Sequence, residues 1–328
     1  MKIIEVITHL DHINAVESIA KKHGAIDQWF VGAEDEEARQ VIRLLVDDNH
    51  RQAVMDSLQN LLGKYETTRI VVLPVEATLP QADVENKGKE KPSLGGATRE
   101  ELYHTISKST ELNSNFLLLV FLSTIVAAIG LIENSVAVII GAMVIAPLLG
   151  PNIALALAAS LGDKPLMWTS LKTNLAGLGL ALTLSFIIGL LLTIDLGSKE
   201  LMDRTYVGID SVVLALASGA AAVLSLTTGL SSVLVGVMVA VALLPPTATV
   251  GIMLGSGQIG LAFGAALLLA VNIVCVNLAA KMVFLARGVK PRTWLEKRKA
   301  KQSITAYMVF WILSLLVLLI AIYLRSHL

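Results

Sequence analysis

Between residues 112 and 280 the chain carries only a handful of ionisable side chains, while nearly all of its charge sits in the first 111 residues and in the run 281–301. This segregation constrains the fold more than any motif does. A backbone buried in lipid finds no water to bond, so an apolar body of this length must close its own hydrogen bonds as helices. Seven apolar segments are expected, at 116–132, 136–160, 166–194, 211–228, 231–254, 259–286 and 304–324. Most have the roughly 20-residue length that crosses a bilayer; the first and fourth are short, and the third and sixth are long enough to tilt. The composition agrees, with 55% hydrophobic residues and a mean hydropathy of +0.71.

The charged first part reads as a separate head. Strands are expected at 2–8, 26–32, 39–46 and 68–76, from their runs of β-branched and apolar residues. Ile13, Val16, Ile19 and Ala20 make one helical stripe, closed by Gly24. Val54, Leu58, Leu61 and Leu62 make another, opened by Asp48 or Asn49 and ending near Gly63. The order βαββαβ predicts an α+β ferredoxin-like cytoplasmic domain over 1–78, a fold that decides little about function alone. Residues 79–115 are expected to be a linker, rich in Pro, Gly and charge over 79–97, and then a polar amphipathic helix. That helix opens at Thr98 with capping-box spacing to Glu101 and carries Leu102, Ile106 and Leu112.

Orientation follows from the basic loops. Arg287, Lys290, Arg292, Lys297, Arg298, Lys299 and Lys301 assign 287–303 to the cytoplasm, where the head and its Lys-rich linker also belong. Six spans then separate the two regions, and the acidic loop 195–210 (Asp195, Glu200, Asp203, Asp210) faces outward. The seventh span, in 304–328, leaves the C-terminus outside. The start, MKIIEVITHL, has no apolar core of signal-peptide length, so the first span is expected to target the chain to a prokaryotic inner or plasma membrane.

The membrane body repeats itself. GAMVIAPLLGP at 141–151 returns ninety-five positions later as GVMVAVALLPP at 236–246, with six identities in eleven. Ser123 and Ser218, Ala127 and Ala222, Val138 and Val233, and Gly162 and Gly257 extend the match. Repeat 1 is 116–194 and repeat 2 is 211–286. Each has three spans, so the second enters the membrane from the opposite side. The expected architecture is therefore an inverted 3+3 repeat plus one helix.

Both copies place prolines inside an apolar stretch, and duplicated broken helices point to a substrate site between repeats. Pro147 and Pro151 are expected to interrupt the second span, and Pro245 and Pro246 the fifth. Asn152, Thr247 and Thr249 lie just past the breaks, with neutral hydrogen bonds for a polar solute. Asn174, Asn272 and Asn277 add amides, and Asn174 aligns with Asn272 if three residues are inserted. Helix-to-helix bonding is the competing use of all these groups. Glu133, in the outer turn, is the only acid between Glu111 and Asp163, and either is solvated there or guards an entrance. Lys172 reads as a snorkelling residue or an anion-attracting group, and Lys281 as a positive-inside residue.

Other chemistry finds little support. There is no Walker A loop, GxGxxG, HExxH or nucleophile elbow, so no enzyme and no cofactor is expected. His9-x-x-His12 lacks a third ligand and reads as a solvated turn, not a metal site. Cys275 stands alone, which excludes an internal disulfide, and the zero formal net charge suggests no nucleic acid partner. Gly141, Gly150, Gly177, Gly236 and Gly264 suit close helix packing.

The run ENSVAVIIGAMVIAPLLGPNIALALAASLGD (133–163), with VGVMVAVALLPPTATVG (235–251), resembles the prokaryotic membrane family catalogued as domain of unknown function 389. The resemblance implies an integral membrane protein of bacteria or archaea and carries over no catalytic residues. From the residues themselves, a secondary transporter or channel for a small polar solute or anion is expected, with its pathway between the repeats. The scarcity of intramembrane acids argues against a cation pump. The alternative is a membrane-anchored sensor or scaffold whose N-terminal domain binds a small ligand or a protein partner. A homo-oligomer suits either reading.

Overall fold

The computed structural model describes residues 1–32, 39–47, 50–75, 98–228, 232–289 and 294–327, without the side chains of 232–242, 294–306 and 326–327. It falls into two compact units, 1–99 and 100–328.

The first unit holds strands β1 (Lys2–His9), β2 (Asp27–Val31), β3 (Arg39–Val46) and β4 (Arg69–Pro74), with helices α1 (Ile13–Lys22) and α2 (Arg51–Leu62). All pairings are antiparallel and the sheet order is β2-β3-β1-β4. Successive side chains on a strand point to opposite faces. Ile4 and Val6 of β1 and Ile42, Leu44 and Val46 of β3 therefore share one face and are buried. Val16 and Ala20 of α1 and Val54, Leu58 and Leu62 of α2 complete that core. Gly24 adopts φ +71°, the left-handed turn that closes α1. The expected caps Asp48 and Asn49 lie outside the described residues. Asp47 instead accepts from the His50 backbone N–H and ring Nδ1, at 2.9 and 2.7 Å, just ahead of α2.

The second unit is helical: α3 (Arg99–Lys108, its first residue assigned to the first unit), α4 (Ser114–Ile132), α5 (Val136–Ile145), α6 (Leu149–Leu161), α7 (Lys164–Leu191), α8 (Lys199–Met202), α9 (Ile209–Thr228), α10 (Ser232–Gly255), α11 (Ile259–Ala286) and α12 (Trp294–His327). Among the described residues five helices are long and apolar enough to cross a membrane, or six if the bent pair α5 and α6 counts as one. Leu112 lies in the turn between α3 and α4, half exposed, not on the amphipathic helix.

The 95-residue period of the sequence reappears in the helix limits. α4 and α9 begin 95 residues apart, and so do α7 and α11, which are each 28 residues long. The turns before α7 and α11 match as well. Gly162 and Gly257 adopt φ +73° and +77°, and the next amide in each reaches back five residues, Asp163 to Ala158 and Gln258 to Met253. These are Schellman-type endings, which satisfy carbonyls left over at a helix end. Because α7 and α11 keep this register without an insertion, Asn174 corresponds to Leu269. The expected pairing of Asn174 with Asn272 does not hold.

Candidate functional site

The two proline segments differ. Pro147 drives Ala146 into the extended region, at φ −67° and ψ 121°, as the residue before a proline prefers. The chain leaves the helix there, and α5 and α6 are bent by 53°. Pro151 then falls in the first turn of α6, where a missing N–H costs nothing. The expected interruption at Pro245 and Pro246 is overturned, since α10 runs through both. The period explains it. Pro147 corresponds to Ala242, so nothing ends the second helix before its prolines. Packing also clamps α10 beyond its prolines. A Cβ on Gly251 would meet Ser185 Cβ at 2.5 Å and the Leu182 carbonyl at 2.7 Å, and one on Gly255 would collide with the Phe186 carbonyl. Such a Gly-x-x-x-Gly seam lets two backbones touch. By contrast Gly141 meets nothing within 4 Å and is not a packing glycine.

Past the break, α6 is encased, with every residue from Pro151 to Ser160 buried. Its polar side chain Asn152 is the centre of the candidate site. Asn277 of α11 donates through Nδ2 to the Ile273 carbonyl at 2.9 Å, and a carbonyl can only accept, so that amide's orientation is fixed. The same Nδ2 donates to Asn152 Oδ1 at 2.5 Å. Asn174 Nδ2 of α7 approaches that oxygen at 3.5 Å. On the other side Tyr307 of α12 donates its hydroxyl to Asn277 Oδ1 at 3.1 Å. Four helices thus meet through three amides and a phenol. Asn152 Nδ2 and Asn174 Oδ1 find no hydrogen-bond partner among the described residues. A buried polar atom left so costs about 1–3 kcal/mol, which a polar guest would offset.

Lys281 adjoins this cluster and is fully buried. Its Nζ lies 4.1 Å from the centre of the Tyr307 ring, within the range of a cation–π contact. Sequence reasoning read Lys281 as a loop-proximal charge and did not single out Tyr307. The signal was available: Lys281 follows Asn277 by four residues, hence on the same helix face.

On its other side the first turn of α6 borders a cavity of about 450 Å³. Pro147, Leu149, Gly150 and Ile153 line it, facing Lys108, Ser109 and Asn113 from the turn between α3 and α4. That turn is held by Thr173, whose hydroxyl donates to the Thr110 carbonyl at 2.7 Å. Tyr103 of α3 donates to Asp163 at 2.8 Å. Partial burial first, and then that carboxylate, push the Tyr103 phenol upward in pKa.

The remaining expected residues are placed as follows. Thr247, the counterpart of Asn152, is buried and donates to the Leu243 carbonyl at 2.7 Å. Thr249 is buried with no partner for Oγ1 among the described residues. Asn272 is buried on α11, five residues before Asn277. Glu133 is exposed in the turn after α4. Lys172 is exposed on α7, 5.4 Å from the Trp168 ring. In the head, His9 pairs with Asp11 at 3.1 Å and His12 stacks on Tyr65, ring centres 4.4 Å apart.

Residues 143–278, which contain the break and all three amides, match the family described as Domain of unknown function (DUF389). An uncharacterized protein of Methanocaldococcus jannaschii (MJ0678) is 36% identical over 271 residues, covering 83% of this chain and 83% of that protein. No solved structure matches the chain.

Proposed function

The chain belongs to the family of Domain of unknown function 389, and from that premise we propose that it is a secondary transporter or channel for a small polar solute or anion. The observation that carries this reading is the chain Tyr307–Asn277–Asn152–Asn174, its three amides buried, with an unpartnered amide donor and acceptor beside a broken helix. Polar groups deep in a membrane body are expensive and mark substrate routes. The described groups of the cluster are amides, a phenol and the ammonium of Lys281. That chemistry favours a neutral or negatively charged solute over a cation. The route would run from the cavity, past the first turn of α6, to the amides.

The architecture proposed around this site has seven spans: α4, α5 with α6, α7, α9, α10, α11 and α12. The shared 95-residue period of helix limits and turns supports two inverted three-span repeats, with α12 outside the symmetry. Arg325, near the end of α12, lies against the Thr205 carbonyl of the acidic loop, which supports placing the C-terminus with that loop on the outside. The strand order of the head supports a ferredoxin-like domain, whose role would be regulatory.

The test is flux into liposomes containing the purified protein, across a panel of small anions, cations and neutral solutes. Asn152→Leu serves as the variant, with thermal unfolding and gel filtration to verify its fold. Flux of one solute class that the folded variant loses supports the reading. Flux of no solute by the folded wild type overturns it, and favours a sensor working through the head.

A further inference from the structure

The face of the head's sheet that α1 and α2 leave uncovered has an unusual composition. In an antiparallel sheet the outer face normally alternates to polar residues. Here register places Trp29, Arg43, Glu5 and Val71 side by side across β2, β3, β1 and β4. On either side lie Leu45, Ile3 and Leu73, ending at Asp27 on the β2 edge, and Val31, Val41 and Ile7, ending at Arg69 on the β4 edge. None of these residues is buried, and Val71 is 38% exposed. At the centre Arg43 Nε meets Glu5 Oε2 at 2.6 Å. Apolar side chains gathered around a charged pair on one open face of a compact unit mark an interaction surface.

We propose that this face is a homodimer interface, covered by the same face of a second copy. The argument is charge complementarity. A lipid or a purely apolar partner would cover the Arg43–Glu5 pair without adding a bond to it. A second copy, related by a two-fold axis running along the strands between β1 and β3, sets its Glu5 against Arg43 and its Arg43 against Glu5. The result is a square of alternating charge, with Trp29 facing the second copy's Val71, Leu45 and Val41 facing its Ile3 and Ile7, and Asp27 and Arg69 left at the rim. Such self-matching defines an isologous contact. Packed sheets stand about 10 Å apart, so their side chains interdigitate.

The test uses the full-length protein in membranes, in a Cys275→Ala background. Asp27→Cys and Val71→Cys place thiols on the two edge strands of the face. Within one copy three strand spacings and a two-residue offset, about 16 Å in all, separate them; across the interface the sheet spacing and the same offset leave about 12 Å, within reach of a bis-maleimide. The expected result is a cross-linked dimer with this pair, and none with Lys21→Cys and Asn60→Cys on the helices. Adding Arg43→Glu should cut the dimer yield about tenfold or more, because like charges then face each other. Adding Glu5→Arg as well should restore it. A dimer indifferent to both reversals overturns the proposal. So does a monomer, whether its thiols react with a small maleimide (an open face) or resist it (a face covered by its own chain). Neither outcome bears on solute flux, so this proposal stands or falls apart from the transport reading.

Discussion

The two copies of the repeated sequence hold the same proline at corresponding positions, 151 and 246, and use it differently. In the first copy the proline opens a new helix after a break; in the second it sits with Pro245 inside an unbroken one. The difference traces to Pro147, which has only Ala242 as its counterpart. A proline does not by itself break a helix held by its neighbours. What matters is whether an earlier proline has already turned the chain, and whether a glycine seam clamps the segment. The same asymmetry gives only the first copy the amide at the centre of the cluster, since Asn152 is matched by Thr247, whose hydroxyl is spent on its own helix.

The sharpest way to break this contrast is to give the second copy what it lacks. Ala242→Pro should end α10 before Pro245, at about 3 kcal/mol or more. A lower thermal midpoint in detergent checks this, and an unchanged midpoint would refute the explanation. Next, Asn152→Leu removes the oxygen that Asn277 and Asn174 approach. Leaving donors unpaired costs about 1–3 kcal/mol, so thermal stability should fall along with flux; a variant as stable as wild type would mean the amides are dispensable to packing. Gly255→Ala puts a methyl into the Phe186 carbonyl and should cost about 1–3 kcal/mol as overpacking. Gly141→Ala, with open space around it, should cost nothing measurable, and equal effects of the two would dissolve the seam argument.

The smallest effect is expected at Tyr103→Phe, which deletes one partly exposed hydrogen bond to Asp163, about 0.5–1.5 kcal/mol. Its pH dependence has a definite sign. A phenol raised above 10.0 in the folded state binds more protons there than in the unfolded chain. Its contribution is therefore complete below pH 10 and declines as pH rises beyond it. Comparing unfolding of wild type and Tyr103→Phe on both sides of pH 10 checks this; a gap that widens with pH would contradict it.

The head was legible from alternation alone, because a strand with one buried face writes its period into the sequence, as Ile4, Val6, Ile42 and Leu44 do. The helix spans and their period were legible for the same reason: apolar length and repeated turn glycines are local signals. The site was only half legible. Asn152, Asn174 and Asn277 stand out as amides in an apolar background, but their meeting depends on how α6, α7 and α11 cross, which no local pattern records. Lys281 was misread because nearness to a basic loop suggests a solvated end, whereas α12 folds back over it. The continuity of α10 was hidden too, since the contacts that hold it belong to residues 182–190, far away in sequence.

One property of the amide chain reaches beyond its role as a meeting point. Two of its bonds run the same way, the Tyr307 hydroxyl giving to Asn277 and Asn277 giving to Asn152, while Asn174 approaches the same Asn152 oxygen from the other end. Dipoles aligned head to tail polarise one another, and each link strengthens the next. The last unspent N–H, on Asn152, is therefore a better donor than a lone asparagine. The chain acts as a small electrical lead, carrying partial positive charge from the edge of α12 to the encased helix, where an electron-rich guest would meet it.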